Sequence, residues 1–543
     1  MRQNTLEELS EKTFDVAIVG GGINGAVAAA ALSAAGLSVA LVEKKDFASS
    51  TSQESSNLVW GGIKYLESYE FGLVWDLCRS RNELMRKYPS SVREIRFFTT
   101  LQKGFRKPKF LVFLGSVLYW FMGRFFTQAP RLLTKAKINS EEPLVETSNS
   151  VGGLEYSDGY LRDNDARFVF GFIRTAMRSG AKILNYAEVV AAKKTDVWTL
   201  DVKDKQRDSD FTVKAKVLIN AAGPYADSLN RLTGLTTRHK HIFSKGVHLI
   251  VPRLTENKKV LTFFADDGRL FFVIPMGSCS CIGTTDTPVE SLPARVTDED
   301  RAFILDNINK RLRLKKPLTM ADVLSERCGV RPLVKEVGSK PAAQGEDWMN
   351  LSRKHAIETK RDQKHITIFG GKLTDCLNIG RELCDELEHL RVPLKRNDQW
   401  VGESLHKYVF EEAARKEGLG DIQFVGEGTL IDRLWRCYDQ DAFSILDRMK
   451  ADTTLKQAVS NQSSVTLAEF AHLAESEMVV SLEDALRRRT RLALVVSHEE
   501  LAASPLLKKA TELLFRENAE REWQRYFGDQ SGHTPVRQAT ARV

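Results

Sequence analysis

The chain has 543 residues, 42% hydrophobic and 28% charged, and a formal net charge of +8. With a mean hydropathy of −0.28, this composition excludes a disordered, collagenous or polytopic membrane protein, and the length predicts about three domains. The basic excess is mild and dispersed. It suits anionic ligands or an anionic membrane surface, and without a basic stripe on a recognisable module it argues against nucleic acid. Seven cysteines, an odd number with no CxxC pair, predict free thiols in a reducing compartment and no metal centre. Residues 1–14 are polar and show no apolar segment of a signal peptide.

The first strong signal is an apolar run at residues 16–19, followed by Gly20-x-Gly22-x-x-Gly25 and an Ala-rich segment that stops at Gly36. A second apolar run, residues 38–42, ends at Glu43. Strand, glycine turn, helix, strand and acid make a dinucleotide-binding unit. Gly20 permits the tight turn, Gly22 admits a pyrophosphate, and Gly25 lets the helix pack on the sheet. The helix N-terminus faces the phosphates, and Glu43 can accept hydrogen bonds from the ribose hydroxyls. The alternative is a merely structural glycine turn.

Residues 110–126 form an aromatic apolar stretch whose uncharged part, residues 110–123, is too short to span a bilayer, and cations flank it on both sides. It reads either as a buried core helix or as an interfacial segment on anionic lipid. No transmembrane helix is expected. Further on, residues 216–220 lead into Ala222-Gly223, and residues 366–369 into Gly370-Gly371-Lys372-Leu373-Thr374 at a helix start. Three distant strand-to-glycine turns converging on one ligand point to FAD. Residues from about 241 to 335 alternate as an antiparallel sheet would, and 396–525 show only helical periodicity. The expected fold is therefore α/β plus all-α. A Rossmann-like FAD-binding domain of the glutathione-reductase/D-amino-acid-oxidase type is discontinuous over 12–85, 150–240 and 340–395. It is interleaved with a substrate-binding, membrane-proximal sheet domain at 86–149 and 241–339. A helical domain at 396–525 and a disordered tail at 526–543 complete the chain.

These segments resemble the FAD-dependent, quinone-linked glycerol-3-phosphate dehydrogenase family. The resemblance is carried by residues 19–29, 51–71, 154–167, 219–227, 245–253, 269–275, 282–288, 328–333 and 369–374, and by 475–494 in the helical region. It implies oxidation of sn-glycerol 3-phosphate to dihydroxyacetone phosphate by hydride transfer to non-covalent FAD, with electrons passing to membrane quinone. It also implies a peripheral protein on the cytoplasmic face of the inner membrane. It leaves homodimerisation open.

Oxidising a secondary alcohol needs a hydride acceptor, a base and charge to hold the phosphate. His248, in an alternating strand, is the expected base, an imidazole of near-neutral pKa. Its alternative role is a core histidine. By resemblance, Arg331 grips phosphate or stabilises an alkoxide, Arg353 is a second phosphate arginine, and Lys64 and Tyr65 touch substrate. Lys372 favours charge on reduced flavin. Arg269 is either a phosphate contact or a strand-end charge. Asn24, Thr51, Ser52, Ser55, Ser56 and Val190 join the expected cofactor contacts.

The chain departs from the family at Trp60 and Lys64, where the family has His and Arg, and at Asp375-Cys376-Leu377, where it has Thr-Tyr-Arg. An acid near a phosphate is unfavourable unless paired or turned away. These changes keep two other readings open: a related flavoenzyme acting on another small hydroxy or amino acid, and a catalytically silent flavin-binding protein at the membrane. An oxidase using O₂ is a variant of the first reading.

Overall fold

The computed structural model describes residues 2–265, 268–338, 354–420, 422–424 and 428–528. Arg353 and most of the expected tail lie outside them, and the helix Ala519–Phe527 runs into that tail's first residues.

Two sheets organise the first 390 or so residues. In the eight-stranded sheet, Thr13–Val19 pairs in parallel with Ser209–Asn220 on one side and Val39–Val42 on the other. His365–Phe369 and Lys182–Leu184 extend it in parallel on either flank. Helices Ile23–Ala34, Asp165–Arg178 and Cys376–His389 pack on one face, and an antiparallel layer, Ala187–Lys194 with Trp198–Asp204, closes the other. Burial from both sides is why these strands are apolar runs rather than alternating ones. All three glycine turns leave the same end of this sheet.

The second sheet has ten strands. Its long strand His239–Pro252 is flanked by Cys279–Gly283 and Ser325–Glu336, both antiparallel. The sheet is not wholly antiparallel as expected: Val260–Phe264 pairs in parallel with Val92–Gln102. Nor do the expected boundaries separate the two sheets. Ser150–Leu161 and Leu58–Val59, inside segments assigned to the cofactor domain, pair here instead. The chain passes from Ser150–Leu161 to the helix Asp165–Arg178 of the other sheet in three residues. No turn-rich linker marks that crossing.

Among its described residues, the region beyond residue 396 is mainly helical, with two short two-stranded ladders. Within the stretch read as purely helical, residues 482–492 do not form one regular α-helix. A π-helical turn, Asp484–Arg489, swings Arg488 and Arg489 under the first domain, where both are buried. They close on the buried Asp46: Arg488 Nε lies 2.7 Å from Oδ2, and Arg489 Nη1 and Nη2 lie 2.8 and 2.9 Å from Oδ2 and Oδ1. Burial alone would raise the Asp46 carboxyl, but Arg489 and Arg488 outweigh it and hold the group below its ordinary range.

Residues 110–126 are not a core helix. Lys109–Met122 is a surface helix that buries only Ser116, Tyr119 and Met122. Phe110, Leu111, Leu114, Leu118 and Phe121 stand exposed, and Phe125 and Phe126 continue the apolar patch. Among the described residues no helix is long and apolar enough to cross a membrane.

Candidate active site

The glycine turns form one end of a long cleft. Gly20 adopts φ +111°, and a Cβ there would lie 2.5 Å from the Ala221 carbonyl oxygen, so this turn needs glycine. A Cβ on Gly25 would lie 1.9 Å from Gly20 O, which explains the close packing of helix on strand. At Gly22 the only neighbour would be Ser52 Oγ at 3.2 Å, so the backbone here faces open space. The cleft beside it, about 450 Å³, is lined by Gly20, Gly22, Asn24, Glu43, Thr51, Ser52, Ala222, Gly223, Gly370 and Gly371. Glu43 takes its first hydrogen bonds from the protein: Gly21 N donates to Oε2 at 2.6 Å and Lys45 N to Oε1 at 2.9 Å. At the rim, Lys44 Nζ stacks 3.3 Å above the Tyr225 ring.

Asn24 joins the first and third turns. Its Nδ2 donates to Gly370 O at 2.9 Å, and Gly370 N donates to His241 Nε2 at 3.1 Å. The buried Asn24 Oδ1 has no protein partner. Ile23, Thr51, Ser52, Glu54 and Gly371 line both this cleft and a second cavity of about 900 Å³. A narrow glycine-walled slot, an orphan acceptor at its middle and a wide chamber at its far end fit a dinucleotide that ends in a flavin ring. Ser55, Ser56, Leu373 and Thr374 line the wide chamber. Val190 does not reach the ligand cleft: the ladder is bulged between Val189 and Ala191, which turns Val190 outward to 48% exposure, and Val189 lines the cleft instead.

The chamber collects Lys64, Tyr65, His248, Arg269, Arg331 and Lys372. Strand register explains part of this. Arg331 lies opposite Ser244 on the neighbouring strand, so it shares a face with Gly246 and His248. Its guanidinium lies over Gly246, where a Cβ would be 2.1 Å from Nη2. Arg331 Nη1 donates to Asp286 Oδ1 at 2.9 Å, and Nη2 to Thr284 Oγ1 at 3.2 Å. Asp286 also accepts a short hydrogen bond from Ser244 Oγ. Arg269 Nη1 donates to Asp286 O at 3.2 Å and its guanidinium stacks 4.9 Å from the Phe303 ring. Lys372 Nζ donates to Tyr65 OH at 2.7 Å and sits 4.1 Å from that ring.

His248 is buried, and neither ring nitrogen has a protein partner. Its pKa is not near neutral as expected. Burial, then Arg331 and Arg327, push it down to about 3, so the imidazole is neutral with an open lone pair.

The departures at 375–377 leave the chamber. Asp375 turns away and pairs with His355 Nδ1 at 2.9 Å, while Ser80 Oγ and Asn378 Nδ2 donate to its other oxygen. Cys376 and Leu377 are buried in the core under the first sheet. Trp60 and Lys64 do line the chamber, where Leu58, Trp60, Leu270 and Phe272 make an apolar wall. Leu58, Leu270 and Phe272 of that wall, Asp286, and the Lys44–Tyr225 rim were not anticipated from sequence. Asp286 stood within a recognised segment, and only the fold shows that it faces Arg331.

Residues 15–350 match the FAD dependent oxidoreductase family, and 337–518 match the C-terminal domain of alpha-glycerophosphate oxidase. An aerobic glycerol-3-phosphate dehydrogenase of Staphylococcus aureus (strain MRSA252) is 31% identical over 71% of this chain and 68% of its own. The structure of a glycerol-3-phosphate dehydrogenase from Bacillus halodurans complexed with FAD superposes with a TM-score of 0.71 at 25% identity, over 97% of this chain and 96% of that one. An L-alpha-glycerophosphate oxidase from Mycoplasma pneumoniae with FAD bound shares the fold, with a TM-score of 0.54 at 20% identity over 72% of this chain and 98% of its own. A glycine-walled cleft shaped for FAD, a chamber of cations beyond it and these likenesses agree: the chain belongs to the FAD-dependent glycerol-3-phosphate dehydrogenase family.

Proposed function

We propose that this protein oxidises sn-glycerol 3-phosphate to dihydroxyacetone phosphate while docked on the cytoplasmic face of an anionic membrane, where quinone takes the electrons. The observation that carries the reading is the convergence of Arg331, Arg269, Lys64 and Lys372 on one chamber with a neutral His248. Such a cluster of cations suits a phosphate dianion. Lys64 contributes a point charge, where an arginine would offer a planar fork.

The chemistry that FAD supplies when bound is acceptance of the carbon-bound hydrogen with its electron pair. The residues of the chain do the rest. The C2 hydroxyl gives its proton to the open lone pair of His248 as the C2–H bond breaks and the C2=O bond forms. A base held near pKa 3 is weak. A dianion beside Arg331 offsets one of the two cations that depress His248, so substrate binding itself raises the base's strength. Asp286 holds Arg331 through Nη1, which keeps that guanidinium over Gly246 in the absence of substrate.

Docking is supported by the helix Lys109–Met122. Its apolar face points to solvent, and Lys103, Lys107, Arg124 and Lys135 flank it in the sequence, the pattern of an interfacial helix on anionic lipid. Arg106 and Lys107, which precede this helix, also line the chamber. The chamber's apolar wall suits an apolar electron acceptor. Trp60 and Lys64 favour the rival reading, a related enzyme acting on another small hydroxy or amino acid.

An anaerobic substrate panel on the purified flavoprotein decides between them. Glycerol 3-phosphate is expected to bleach the flavin at catalytic rates. Bleaching by a hydroxy or amino acid in its place overturns the assignment. Turnover with a quinone analogue and little peroxide in air is the expected acceptor result, and stoichiometric peroxide identifies an oxidase.

A further inference from the structure

The helix Lys109–Met122 touches the body of the protein through few groups, and one of them reaches the chamber wall. Tyr119, 2% exposed, donates its hydroxyl hydrogen to Asp158 Oδ2 at 2.7 Å. Asp158 is fully buried, and its Oδ1 accepts from Gly61 N at 3.0 Å and from Arg81 Nη1 at 3.1 Å. Arg81 Nη1 also donates to Tyr119 OH at 3.0 Å, and its neighbour Asn82 donates from Nδ2 to Gly123 O at 2.8 Å, just past the helix end. Gly61 fits so closely that a Cβ there would lie 2.2 Å from the Tyr119 hydroxyl oxygen.

Gly61 belongs to the segment that carries Trp60, Lys64 and Tyr65 into the chamber. Among the described residues, Asp158 is the only carboxylate hydrogen-bonded to the backbone of residues 60–62. This hydrogen-bonded carboxylate joins the exposed helix to the wall on which substrate is expected to rest, beside direct packing of the helix on residues 63–66 and the Arg106–Glu67 ion pair just before it. A buried charge with several partners is stiff: removing one leaves a costly unpaired group, so the arrangement favours being wholly made or wholly broken.

We propose that Asp158 is a positioning residue for the chamber wall at residues 60–65, and that an anionic lipid surface acts on this wall through Tyr119. The inference rests on the docking reading above. In water the helix buries only Ser116, Tyr119 and Met122. Lipid adds apolar contact to the exposed face, and so stabilises the seated helix over any loosened one. The seated helix keeps Tyr119 on Asp158, and Asp158 keeps Gly61 in place. Lipid therefore orders a wall that it does not touch.

The test uses the FAD-loaded full chain, its Tyr119→Phe variant and a Leu114→Glu/Phe121→Glu variant, with and without phosphatidylglycerol vesicles. Tyr119→Phe keeps the ring and removes only the hydroxyl. Co-sedimentation, amide hydrogen exchange across residues 58–66, and KM and kcat for glycerol 3-phosphate with a soluble dye are measured. Vesicles should slow exchange in the wild-type segment about tenfold, a difference readable as local opening, and lower KM more than they change kcat. Tyr119→Phe should sediment with vesicles yet show neither effect, and the double glutamate variant should lose both sedimentation and the effects. If wild type sediments but its exchange is unchanged, or if Tyr119→Phe responds as wild type does, the proposal is overturned while docking stands. If wild type does not sediment, docking and the proposal fall together. Lipid-dependent slowing lost in Tyr119→Phe, in a protein that does not oxidise glycerol 3-phosphate, supports the proposal and removes only the substrate assignment.

Discussion

Arg331 shows how a single contact constrains several residues. Its guanidinium occupies the space where a side chain at 246 would stand, and Asp286, Thr284 and Ser244 surround it. Gly246 is thus required by the room that Arg331 takes, and no left-handed backbone is involved. We expect Gly246→Ala to displace the guanidinium and cut kcat/KM by about 10²-fold or more, the scale of losing one preorganised charged donor. Arg331→Ala should match it, and both proteins should purify with normal flavin absorbance. Near wild-type kinetics in Gly246→Ala would place the working guanidinium elsewhere. The same crowding bears on His248, whose depressed basicity comes from burial first and from Arg331 and Arg327 next.

At the scale of elements, the turn after His365–Phe369 is held from several sides. Asn24 grips Gly370 from the helix Ile23–Ala34, Lys372 reaches Tyr65, and Asp375 pairs with His355 at the start of the strand Ala356–Lys360. His355 also bonds Glu382 through Nε2 at 2.8 Å, on the helix that follows the turn. Burial alone would lower this imidazole, but Asp375 and Glu382 outweigh it and raise its pKa to about 9. A histidine raised above its ordinary value of about 6.5 contributes its full stabilisation below that pH and loses it as pH rises through about 9. The contribution amounts to about 3 kcal/mol at most, because a tenfold change in proton affinity is worth about 1.4 kcal/mol. Thermal unfolding of the holoprotein between about pH 6 and pH 9.5 should show a fall in Tm that His355→Gln flattens. A parallel pH profile in the two proteins would contradict it.

At the scale of the molecule, the helical region is joined to the cofactor domain by buried charge. Arg488 and Arg489 both close on Asp46, and Arg167 of the first domain forms a bidentate pair with the buried Glu477 of the helical region. Removing one partner of such a cluster leaves buried cations uncompensated. Asp46→Ala should therefore cost about 3–5 kcal/mol, read as a lower urea midpoint, and should expose the junction to limited proteolysis. An unchanged midpoint would mean that apolar packing alone holds the two regions together. The surface helix Lys109–Met122 is the opposite case, with a thin attachment and its apolar side outward.

What could be read from the chain alone was local. Gly20, Gly22 and Gly25 announce a phosphate-facing turn because each glycine answers a short-range steric demand, and the apolar runs around them announce strands covered on both faces. The turns at Ala222-Gly223 and Gly370-Gly371 were legible for the same reason. Contacts made across the fold were not. Val190 and Val189 exchange roles through a bulge that no periodicity signals. Asp375, adjacent in sequence to the flavin turn, faces His355 and leaves the chamber. Residues 150–161 cross to the other sheet without a turn to mark it. Whether residues 110–126 form a core or a surface helix depended on what packs against them. Sequence encodes such choices only through long-range packing, and that packing exists only once the chain is folded. The sequence by itself determined the cofactor cleft and the kind of charge the chamber would hold. Only the tertiary structure decided which cations share the chamber, that His248 is held neutral, and that Tyr119 and Asp158 tie an exposed helix to its wall.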